Sequence, residues 1–216
     1  MLLHLFMVLL AVIGTQVSAA AASRGVAGLV AAGYEMIDIQ WKVVPVPGGQ
    51  PVHLNGTVQD IIAKLTKLNP NWETDHKKYL ANDTAADVEK RESTQTGVKK
   101  IKDEGRWDPD PCKGMDSECD AYDIMDGVDY LNKVPGEPGE GPGPRQCGRV
   151  SCSWDSAIYW CNNNKEAVTL GSYKWIANGA SYICTQCAHW DGIERAVSGE
   201  AFNSNDWSVV VMYDIC

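Results

Sequence analysis

All eight cysteines of this 216-residue chain lie in its second half: Cys112, Cys119, Cys147, Cys152, Cys161, Cys184, Cys187 and Cys216. None precedes the dibasic pair Lys90–Arg91. The second half can therefore be stapled wherever thiols are oxidised, whereas anything before Lys90 must fold without covalent help. All eight are expected as half-cystines. Eight cysteines allow 105 connectivities, and the spacing does not choose among them.

The N-terminus agrees with an oxidising destination. Leu2 to Ile13 is an apolar run, and Val17-Ser18-Ala19 places small residues where a signal peptidase cuts. The expectation is a signal peptide at 1–19, with cleavage after Ala22 as the alternative. The run is shorter than the roughly 20 residues of a membrane span, and no later stretch is more apolar. A soluble, secreted, monomeric product without stable membrane insertion is expected. Asn55-Gly56-Thr57 and Asn82-Asp83-Thr84 fit the N-glycosylation tripeptide, and both precede Lys90. Lys90–Arg91 sits in polar surroundings suited to a kexin-type processing protease, which makes 20–91 a pro-segment. Charge follows the same boundary. The first 91 residues balance at zero and the remainder carries the whole −9. That sign argues against nucleic-acid partners, which need basic patches.

Hydrophobic spacing outlines the elements. Ile37 to Trp41 alternates like a strand, and Thr57 caps a helix whose stripe is Val58, Ile61, Ile62, Leu65 and Leu68, ended by Pro70. The rest of 20–91 is polar and reads as weakly structured. Residues 92–134 form an acidic arm, with a helix over Asp116–Leu131 striped by Tyr122, Met125, Val128 and Leu131. Cys112 and Cys119 could close a small loop there. Pro135 to Pro144 has no apolar residue, so 135–146 reads as an exposed linker. From Cys147 the pattern tightens. Two short runs, Arg149–Trp154 and Ala157–Cys161, flank a turn at Asp155-Ser156. Ser172 starts a helix with Tyr173, Ile176, Ala177, Ala180, Ile183, Cys184 and Cys187 on one face. Ala196–Phe202 and Trp207–Tyr213 read as strands joined at Asn203–Asp206. The fold class is α+β: a disulfide-stapled β-β-α-β-β sandwich over 147–216, a size at which staples are usual. A bridge at the terminal Cys216 would pin the last strand.

Chemistry-bearing patterns are sparse. Cys184-Thr185-Gln186-Cys187 falls at a helix end rather than a helix start, which favours two half-bridges to different partners over a redox pair. His189 near Cys187 has no second cysteine pair to complete a zinc site. Asp116, Asp120, Asp123, Asp126 and Asp129 recur every three or four residues, the spacing of a solvated helix face and not of a calcium loop. No metal, cofactor or catalytic set is expected. Asp155 and Glu200 are the carboxylates on which a small secreted hydrolase would have to rely. Six tryptophans follow Arg91: Trp107, Trp154, Trp160, Trp175, Trp190 and Trp207. Some belong to the core; exposed ones would form a recognition surface for protein or carbohydrate.

Cys147-Gly148-Arg149-Val150-Ser151-Cys152, Ser156-Ala157-Ile158-Tyr159-Trp160-Cys161-Asn162, Val197-Ser198-Gly199-Glu200-Ala201-Phe202 and the closing Trp207…Cys216 resemble a group of small secreted cysteine-rich proteins of filamentous fungi, many of them effector-like. The resemblance covers about 70 residues. More distantly, the element order looks like killer-toxin-like and extracellular-effector α/β sandwiches, a likeness of fold alone. The resemblance carries over no catalytic residue. It implies a secreted, non-enzymatic protein that binds an extracellular protein or carbohydrate at an extracellular or host surface. A carboxylate-pair hydrolase and a cell-wall carbohydrate-binding module are the alternatives.

Overall fold

Trp154 and Asp155 both adopt positive φ, 49° and 56°. That pair makes the tight two-residue turn whose twist matches antiparallel strands. It joins β7 (Gln146–Ser153) to β8 (Ser156–Asn162), one residue earlier than the expected Asp155-Ser156. The hairpin belongs to a computed structural model that describes residues 24–82, 98–113 and 117–216. The signal-peptide region and Lys90–Arg91 lie outside the described residues.

The α+β class holds. β13 (Trp207–Tyr213) pairs antiparallel with β8 along its whole length, and β12 (Gly199–Asn203) pairs antiparallel with β13. The four antiparallel strands therefore run β7-β8-β13-β12, with a fifth, β1 (Glu35–Ile37), parallel to β7 at the edge. Every residue of β8 is buried, as a central strand covered on both faces must be. On one face lie α4 (Ala121–Leu131) and α5 (Tyr173–Cys187). The other face is a smaller cluster of Cys147, Ala157, Tyr159, Cys161, Val210 and Met212, closed by Leu29 and Tyr34. Leu29 belongs to α1 (Arg24–Ala31).

Local signals placed both of the best helices. Ser172 Oγ accepts from the Lys174 amide at 3.1 Å, and the buried face of α5 is the expected stripe from Tyr173 to Cys184. Thr57 and Asp60 form a capping box on α2 (Val58–Leu68). Gly179, unfavourable for a helix in isolation, is needed by packing. A Cβ there would lie 2.7 Å from both the Trp107 ring and Val209. Gly179→Val is expected to cost about 1–3 kcal/mol in urea unfolding, as overpacking does; an unchanged midpoint would contradict this packing.

Four expectations need correction. The segment read as weakly structured is ordered over 24–82. Trp41, Val58, Ile61 and Leu65 are at most 1% exposed, and Trp41 stacks on Tyr173 with ring centroids 4.3 Å apart. Each such side chain contributes roughly 1.5–3 kcal/mol by leaving water. Its polar end, after Pro70, is helix α3 (Trp72–Asn82). Second, the supposed linker supplies β6 (Gly139–Glu140) to the interior of another sheet. That sheet runs β3 (Val52–Asn55), β2 (Gln40–Val43), β6, β9 (Ala167–Thr169), β4 (Val98–Lys100). Main-chain pairing, not apolar side chains, holds β6 there. Third, α4 begins at Ala121, capped by Asp120, and buries Ala121, Ile124, Val128 and Leu131. Tyr122 and Met125, assigned to its inner stripe, face out. The true stripe uses Ala121 and the small Gly127, which hydropathy undervalues. Fourth, the strand read over Ala196–Phe202 divides at Ser198. β11 (Arg195–Val197) joins a small sheet, β10 (His189–Trp190)-β11-β5 (Cys119–Asp120), while β12 stays in the main one.

Candidate binding surface

The cysteines form three bridges: Cys112–Cys187, Cys147–Cys161 and Cys152–Cys216. Cys216 thus pins the chain end after β13 to β7, as expected. Cys112 does not close a loop with Cys119; it reaches across to the end of α5. Cys187 is the half-bridge its position implied. Cys184, three residues earlier, points into the core, so the C-x-x-C is not paired with itself. Cys119 and Cys184 are buried free thiols, which corrects the expectation of eight half-cystines to six. Burial pushes both thiols up, Cys184 to about 12, so neither is a thiolate near neutrality. The acidic arm is accordingly part of the body rather than a separate unit.

The carboxylates of the hydrolase alternative are held apart. Asp155 occupies the β7–β8 turn, where it accepts from the Cys216 amide at 3.2 Å. Glu200 lies in mid-strand on β12, in register with Val210, which pairs with Tyr159. Four residues along β8 and two strands across separate their backbones by about 13 Å and about 10 Å in the two directions. Glu200 is 7% exposed and accepts from Tyr34 Oη at 2.6 Å and Ser208 Oγ at 2.8 Å. Burial raises its pKa, partly offset by those two donors and by Arg145. Asn163 donates to Ser208 at 3.1 Å and lines a surface cleft with Arg145, Phe202 and Asp206. Among the described residues, no three His, Cys, Asp or Glu side chains converge as a metal set. No helix among the described residues is long and apolar enough to cross a membrane.

The tryptophans divide sharply. Trp160 and Trp207 are fully buried, and Trp107 and Trp175 pack partly buried against the same core. Trp154 is 83% exposed and Trp190 is 69% exposed. Ile193, also strongly exposed, tips the β10–β11 loop, and the exposed Tyr122 opens α4. Pairing brings these positions to one end of the molecule. The Tyr213 amide donates to Ser117 O at 2.9 Å, which sets the start of β5 beside the strand ends flanking Trp154. β5 pairs with β11, and β11 with β10, which carries Trp190.

Carboxylates cluster on the α4 and β10–β11 side of this apolar end, where the exposed Arg195 is paired with Trp190. Burial raises Asp123, and the nearby Asp120, Asp126 and Glu194 carboxylates raise it further. Glu118 lies 3.5 Å from His189. Asp126 and Asp129 are exposed, so the helix face has the solvated character its spacing suggested; Asp116 lies outside the described residues. Tryptophan count had left an exposed surface and a second buried face equally open. It could not say which tryptophans, and it missed Tyr122 and Ile193, because exposure depends on how β5, β10 and β11 assemble. Asn55 is exposed at the end of β3, and Asn82 is the last residue of α3. No family model, curated protein or solved structure matches the chain.

Proposed function

We propose that this is a secreted, non-enzymatic, effector- or toxin-like protein that binds at an extracellular or host surface. The exposed Trp154, Trp190, Ile193 and Tyr122, with a cluster of carboxylates beside α4 and the β10–β11 loop, carry the reading. Monomeric proteins rarely leave large aromatic side chains in water without using them, and tryptophan and tyrosine dominate binding hot spots. The charge around them favours a partner that combines cationic and apolar groups, such as a basic protein surface. Three bridges suit an extracellular product. Glycans at Asn55 and Asn82 belong to the same reading. The hydrolase alternative lacks support from the positions of Asp155 and Glu200. The carbohydrate-module alternative shares the exposed aromatics but gives the carboxylate cluster no role.

Retention on a lysine-rich peptide matrix, compared with insoluble chitin and glucan, tests the proposal. The protein is expected on the cationic matrix, and the Trp154→Ala/Trp190→Ala variant is expected to bind at least about 10-fold more weakly with unchanged thermal stability. Soluble acrylamide should quench the intact protein far more than the variant. Retention on chitin or glucan alone would transfer the reading to a cell-wall module, and equal binding by variant and parent would overturn the role of this surface.

A further inference from the structure

No cysteine lies in residues 1–91, so no bridge can tie that part of the chain to the rest. Residues 24–82 are nevertheless built into the body at many points. β1 extends the main sheet through Glu35↔Gln146, Met36↔Cys147 and Ile37↔Gly148, and the Glu35 amide donates to Arg145 O at 2.8 Å. Tyr34 donates to the buried Glu200. Gln59 donates to Ser151 Oγ at 2.9 Å and accepts from the Cys152 amide at 3.4 Å. Ile39 fits so closely over Gly148 that a Cβ there would lie 2.2 Å from it. Trp41 stacks on Tyr173. Removing 24–82 would leave β7 as an unpaired edge and uncover the side chains around Tyr173, a template for aggregation.

We propose that residues 24–82 are a docked structural subunit rather than a leader to be discarded, so that cutting at Lys90–Arg91 yields a two-chain protein held together without covalent bonds. Hydrolysis of the Arg91–Glu92 peptide bond consumes one water and leaves a carboxylate on Arg91 and an ammonium on Glu92. The pairing of β1 with β7, the Gln59 hydrogen bonds and the Trp41–Tyr173 stack do not involve that bond. The occupant of the groove beside β7 and Tyr173 is thus the protein's own N-terminal segment, whatever the acidic, aromatic end binds.

The full secreted chain, treated with a kexin-type protease, provides the test. The expected result is an unchanged elution volume under native conditions. The same sample should run as two fragments in denaturing electrophoresis without reductant, and Lys90→Ala/Arg91→Ala should stay whole. Loss of the N-terminal fragment on native chromatography would overturn the proposal, as would a chain that the protease cannot cut. For the cut protein carrying Trp41→Ala, at least about 10-fold easier dissociation on dilution is expected, one decade for about each 1.4 kcal/mol by which the two chains bind more weakly. Should that variant not fold, the result with the parent chain still decides.

Discussion

The Cys112→Ala/Cys187→Ala double variant is expected to unfold at a free energy about 4 kcal/mol below that of the parent protein. Breaking this bridge frees a loop spanning 75 residues, the longest of the three bridged separations. In the loop-entropy account, the unfolded chain gains most when the longest loop opens, and a span of this length corresponds to about 4 kcal/mol. The bridge closes the end of a segment that is otherwise held by backbone pairing and by Trp107 packing on Trp207. From Arg106 to Cys112 the chain runs along β12, tied by Asp108 N to Phe202 O and Glu200 N to Pro111 O, each at 2.8 Å. By contrast, Cys147–Cys161 spans 14 residues within two strands that are already hydrogen-bonded. Its loss is expected to cost less, about 3 kcal/mol. Replacing both cysteines avoids leaving a lone thiol. Urea unfolding checks the ranking; a larger effect at Cys147–Cys161 would show that loop length does not govern these bridges. Alkylation of the unfolded, unreduced parent should label two thiols, Cys119 and Cys184.

Stability is expected to fall as pH rises through and above the ordinary carboxylate range, and Glu140→Gln is expected to flatten that fall. Glu140 is 6% exposed on β6, and neither carboxylate oxygen has a hydrogen-bond partner. Burial holds its pKa well above the usual range. The Asn162 backbone approaches closely enough to offset part of this without completing a hydrogen bond. Glu200 is shifted the same way, again mainly by burial. A group whose pKa is higher folded than unfolded keeps its proton in the native state after the unfolded chain has released it. Its contribution is therefore complete below the unfolded pKa and is lost as pH rises to the folded one. Across that window the slope approaches about 1.4 kcal/mol per pH unit for each group. Glutamine keeps the shape but cannot ionise, so the variant should be more stable than the parent near neutrality and similar to it in acid. Urea midpoints between about pH 4 and about 8 test this; parallel curves for parent and variant would rule Glu140 out as the source.

Both predictions concern residues that the sequence presented differently. Cys112 suggested a short loop with Cys119, because spacing is the only guide a sequence offers and the two are near neighbours along it. Its partner lies at the far end of α5, beyond several intervening strands and α4. Glu140 stood among prolines and glycines as a solvated linker residue. Its burial follows from β6 being the strand that joins β2 to β9, a position that only the assembled sheet defines. Tyr122 and Met125, expected on the inner stripe, face out for a related reason. Helical periodicity tells which residues share a face, but the neighbours of α4 select which face turns inward, and those neighbours are chiefly α5, then β8 and β7.

Much was legible locally. The turn between β7 and β8, the caps at Thr57 and Ser172, the inner stripe of α5 and the full length of β13 all rest on interactions within a few residues. The sequence alone therefore determined the α+β class and the antiparallel hairpins. It left open whether the tryptophans beyond the first core face form a second buried face or lie in water. The tertiary structure alone decided which cysteines meet, which two remain thiols and which tryptophans face water. It decided, too, that residues 24–82 belong to the core of the protein. The reason is physical: a cap or a turn is satisfied by its own neighbours, whereas burial and bridging are satisfied by groups brought from far along the chain.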